Sequence, residues 1–90
     1  MENNNKSGLE KVYRFAKKFG FSFNYSENFK SGTVNCFMIA PKTDIVFSYT
    51  EMDDDVIIVT DGGKFYGGVD RALNYYEELL ILKGEFNGKF

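Results

Sequence analysis

Four carboxylates fall within five residues at Glu51, Asp53, Asp54 and Asp55, in the stretch "EMDDDVIIVTDGG" that spans residues 51–63. Carboxylates at this density suit three kinds of chemistry: holding a divalent cation, acid–base work by a pair, and attraction of a basic partner. A calcium ion takes roughly six to eight oxygens, whereas a loop this short turns only about three toward one point. The spacing also lacks the twelve-residue loop, with its Gly and closing Glu, of an EF-hand. Acid–base work needs burial that drives two pKa values apart, and an exposed loop supplies none. The stretch is therefore expected to be a solvated hairpin tip, dispensable for folding and open to a basic partner.

Other reactive groups are scarce. The chain has no His, which removes the commonest general base, neutral-pH switch and zinc ligand. Its single cysteine, Cys36, sits in an apolar run where a buried, inert thiol is expected. No enzyme activity, metal or cofactor is expected from these residues. Lys11, Arg14, Lys17 and Lys18 gather on one helical segment and offer a second kind of site, a grip on nucleic-acid phosphates.

Elements must position these groups, and length bounds how many there are. Ninety residues support one domain around one core, and 43% hydrophobic with 18% aromatic content is the composition of a folded chain. No stretch nears the roughly 20 apolar residues of a membrane span, and the start of the chain has no apolar signal region, so the protein is expected in the cytoplasm.

Ser7 and Glu10 fit a capping box, Gly20 supplies a stop, and between them Leu9, Val12, Tyr13, Ala16 and Phe19 recur at helical spacing. From Phe21 the period changes to two, which predicts a strand through Ser26. Further strands are predicted over residues 33–40, which Pro41 ends, 45–50 and 56–60. Lys64 to Tyr66 reads as either a short fifth strand or a connector. A second helix follows Gly67-Gly68, with Val69, Ala72, Leu73, Tyr76, Leu79 and Leu80 on one face and Gly84 as C-cap. The expected fold is α+β: a two-layer sandwich of N-terminal helix, four-stranded antiparallel meander and C-terminal helix, with residues 1–6 flexible and 85–90 a docked or frayed tail.

The Pro41–Asp44 turn pairs Met38 with Phe47 on the core face, which leaves Phe37, Ile39 and Val46 on the back of the sheet. If residues 51–55 form the next loop, Thr50 pairs with Val56, and Ile58 and Val56 join that back face. Only two layers are available, so this apolar patch is expected at a partner or homodimer interface. A slip of one residue would move Ile58 to the core. Charge is also divided. Residues 1–42 carry seven basic and three acidic side chains, a balance of +4, and residues 43–90 carry four and ten, a balance of −6.

With "LEKVYRFAKKFGFSFNY" opening and "GGVDRALNYYEELL" closing, the order helix, meander, helix is similar to the double-stranded RNA-binding domain. That family grips phosphates with a Lys cluster at the start of its second helix, where this chain has Val69, Asp70, Arg71 and Ala72. In overall character, a small, acidic, His-free and Trp-free domain rich in Asn, Lys, Phe and Tyr, the chain resembles the phage-encoded inhibitors of host defence, anti-CRISPR proteins among them. That resemblance implies a non-enzymatic protein-binding module acting on a host protein or protein–nucleic-acid complex. The alternative is a small nucleic-acid-binding domain using Lys11, Arg14, Lys17 and Lys18.

Overall fold

Period-two alternation broken by short turns yields five strands rather than four. The computed structural model describes residues 4–53 and 55–86. Its elements are α1 (Asn4–Phe19), β1 (Ser22–Asn28), β2 (Thr33–Ile39), β3 (Val46–Met52), β4 (Asp55–Thr60), β5 (Gly63–Tyr66) and α2 (Val69–Lys83). The strands form one antiparallel sheet in the order β1-β2-β3-β4-β5. The additional strand, β5, exists because Asp61 and Gly62, the latter at φ 77°, turn the chain in two residues and bring Gly63 opposite Thr60.

Both helices pack on one face of the sheet. Val12 and Ala16 of α1 and Ala72, Leu73, Tyr76 and Leu80 of α2 meet Cys36, Met38, Phe47, Tyr49 and Ile58 in a single core. The apolar stripes of both helices thus point largely as their spacing predicts, except that Tyr13 of α1 is exposed and Phe15 takes a place against the core. Helix α1 starts at Asn4, so Ser7 lies inside it rather than at its N-cap, and residues 4–6 are part of the helix. No Gly or Pro in that stretch opposes an earlier start. Helix α2 ends at Gly84, which takes φ 88° and donates its N–H to the Ile81 carbonyl. Beyond it the tail docks, with Glu85 buried and the Phe86 ring 5.2 Å from that of Phe19. Residues 1–3 and 87–90, the ends of the expected leader and tail, lie outside the described residues. No described helix is long and apolar enough to cross a membrane.

Two expectations about the middle of the sheet are corrected together. Strand β3 runs on to Met52, which pairs with Asp55, so only two sequence positions separate β3 from β4. Tyr49 therefore faces Ile58 and Phe47 faces Thr60, one residue away from the register expected for a longer loop. Because side chains alternate, that single step puts Ile58 in the core at 0% exposure instead of on the back face. Ile57 and Val59 take its place.

Candidate functional site

The back of the sheet is built by the residues that alternate away from the helices. One row across the strands reads Asn24, Phe37, Ser48, Val59 and Lys64, and the next reads Ser26, Asn35, Thr50, Ile57 and Tyr66. Ile39 and Val46 pair at one end of this face, and Thr33, Met52 and Asp55 lie at the other. Phe37, Val46, Val59 and Tyr66 are exposed, Tyr66 at 72%. Three of the four back-face residues expected from sequence, Phe37, Ile39 and Val46, are thus brought together. In a chain with 27% charged residues, the only charges on the strand positions of this face are Asp55 and Lys64. The remaining polar groups are Ser, Thr and Asn, and one pair is internally satisfied, the Thr50 hydroxyl donating to Asn35 Oδ1 at 2.8 Å.

At the end near the Pro41–Asp44 turn the face opens into a shallow hollow of about 610 Å³, between residues 43–48 and 59–62. Val46 and Val59 contribute to its floor, and the exposed carboxylates Asp44 and Asp61 are part of its lining. Asp44 is held at φ 61°, a left-handed conformation that Asp tolerates in turns. Both aspartates went unremarked as site residues in the sequence. The signal lies in their positions at the two hairpin turns on the same end of the sheet.

The acidic cluster is divided by the same alternation. Asp53, at φ 53°, and Asp55 are exposed at the hairpin tip, whereas Asp54 lies outside the described residues. Glu51 is not at the tip. It points into the helix layer, is 8% exposed, and accepts a 2.7 Å hydrogen bond from the Tyr49 hydroxyl. Burial, then this bond to Glu51, pushes the Tyr49 phenol far above its ordinary pKa. Burial likewise raises the Cys36 thiol to about 12, with Glu51 adding to the shift, which disfavours the nucleophilic thiolate. Gly8 of α1 completes this cluster: a Cβ there would run into the Tyr49 hydroxyl. Among the described residues no three His, Cys, Asp or Glu side chains converge as metal ligands.

Lys11, Arg14, Lys17 and Lys18 of α1 are exposed, but two of them face carboxylates. Lys11 Nζ lies 2.9 Å from Asp70 of α2, and Arg14 lies 3.3 Å from Glu10. Lys17 and Lys18 lie over the rings of Tyr13 and Phe19 at 6.0 and 5.3 Å. Comparison with protein-family models, curated proteins and solved structures finds no match.

Proposed function

We propose that the chain is a non-enzymatic protein-binding module that docks through the back of its sheet. The observation that carries this reading is a face that no described element covers, on which Phe37, Val46, Val59 and Tyr66 are exposed and charge at strand positions is confined to Asp55 and Lys64. Depletion of charge around aromatic and aliphatic side chains is the compositional mark of an interface core. Asp44 and Asp61, in the hollow beside Val46 and Val59, favour a partner that offers a Lys or Arg side chain next to an apolar one. In its narrower form the reading is an inhibitor that occupies a basic surface of a host nucleic-acid-handling complex, in the manner of an anti-CRISPR protein. Nucleic-acid binding through Lys11, Arg14, Lys17 and Lys18 has less to support it, since Asp70 and Glu10 offset two of these four cations.

The test is affinity capture from bacterial lysate with the wild type, a Phe37→Asp/Val59→Lys variant and a Lys17→Glu/Lys18→Glu variant, read by mass spectrometry and nucleic-acid staining. Proteins captured by the wild type and by the α1 variant, but lost with the back-face variant, are expected. Capture that survives the back-face changes and disappears with the α1 changes overturns the reading in favour of nucleic acid.

A further inference from the structure

The sheet has two edges, and they differ. β5 is four residues long, whereas β1 runs for seven residues from Ser22 to Asn28. Natural edge strands are usually blunted by Pro, Lys, a bulge or a covering element. β1 contains no Pro, Lys or Gly, carries a single charge at Glu27, and pairs with β2 over its whole length without interruption. Among the described residues nothing lies along its outer side.

Its free hydrogen-bonding groups follow from the ladder. The Ala40 N–H donates to the Ile45 carbonyl, so Ala40 and, by alternation, Met38, Cys36 and Val34 turn their backbone groups toward β3. Ile39, Phe37, Asn35 and Thr33 then face β1 and bond Ser22, Asn24, Ser26 and Asn28. The N–H and C=O groups of Phe23, Tyr25 and Glu27 consequently point outward. The same three residues direct their side chains to the helix layer, where Phe23 and Tyr25, with Leu9, Glu10 and Tyr13, line a groove of about 420 Å³ between α1 and the edge. The Tyr13 and Phe23 rings meet edge to face at 5.1 Å and form its wall. A strand added here would satisfy the free backbone groups and place every second side chain beside that groove.

We infer that a second copy of this chain is that strand: β1 pairs antiparallel with its own counterpart about a two-fold axis, giving one continuous ten-stranded sheet. β1 is self-complementary for this. An axis at Asn24 sets the Phe23 of each copy opposite Tyr25 of the other, aromatic against aromatic at the mouth of both grooves, and keeps the two Glu27 carboxylates apart at the ends. A net charge of −2 per chain opposes the approach only weakly. The dimer joins two charge-depleted back faces side by side without covering either, so it is independent of the docking reading above.

Two measurements test the inference: sedimentation equilibrium between about 10 µM and about 1 mM, the range for an interface at the small end of specific complexes, and amide hydrogen exchange at the same concentrations. The mass is expected to rise from 10.3 kDa toward twice that value. The amides of Phe23, Tyr25 and Glu27 should gain about tenfold protection with concentration, while those of Asn24 and Ser26 stay protected throughout by the β2 ladder. Tyr25→Lys, which places a charge at the pairing edge of an exposed strand, should abolish both effects, and Phe37→Asp should leave them intact. Exchange at the three outward amides that does not change with concentration overturns the inference, whether the chain stays monomeric or pairs through another face.

Discussion

At the scale of residues, one position separates two carboxylates that look alike in the sequence. Glu51 lies on the helix-facing side of β3 and is held by the Tyr49 hydroxyl, while Asp53 stands exposed in the turn. Their substitutions should diverge. Glu51→Ala leaves a buried cluster short of its acceptor and should cost about 1–3 kcal/mol, whereas Asp53→Asn should change stability by less than about 0.5 kcal/mol. Urea unfolding of the two variants decides it, and equal midpoints would contradict the burial of Glu51. The difference was hidden because composition records five crowded residues and not which of them falls on which side of a pleat.

At the scale of elements, the tail and the Pro41–Asp44 turn hold each other. Glu85 is 4% exposed and accepts the Thr43 N–H at 2.8 Å, the Thr43 hydroxyl at 2.8 Å and the Lys42 N–H at 3.2 Å. A carboxylate beyond the end of α2 thus fixes the β2–β3 turn, whose residues Thr43 and Asp44 form part of the hollow on the back face. Glu85→Ala should cost about 2–3 kcal/mol, because three charge-assisted bonds accepted by a buried carboxylate are lost. It should also broaden the amide resonances of residues 42–45 in a heteronuclear spectrum, while Glu85→Gln, which keeps an acceptor oxygen, should lose less. The sequence placed the C-cap at Gly84 by residue type alone. It gave no sign that the next residue would turn inward, because that depends on a turn more than forty residues away.

At the scale of the whole molecule, three acidic protons are held by burial: those of Cys36 and Tyr49 on the sheet and Tyr76 on α2. All three pKa values are raised above their ordinary values of 9.0, 10.0 and 10.0. Above about pH 9 the unfolded chain therefore releases protons that the folded chain keeps, and stability should fall as pH rises. Below that pH these groups contribute their full stabilisation. Thermal unfolding should show a flat melting temperature from these groups between pH 7 and 8.5 and a decline from pH 9 to 11, with Cys36 resisting alkylation until the fold opens. Hydrophobic periodicity with short connecting turns determined the two helices, the antiparallel class of the sheet and the back-face position of Phe37, Ile39 and Val46, since each follows from local spacing of 3.6 or 2 or from loop length. Only the tertiary structure decided the fifth strand, the burial of Ile58 and the fate of Glu51. All three turn on the lengths of the two hairpin loops, at residues 53–54 and 61–62, and those lengths are settled by which pairing fills the core beneath α1 and α2.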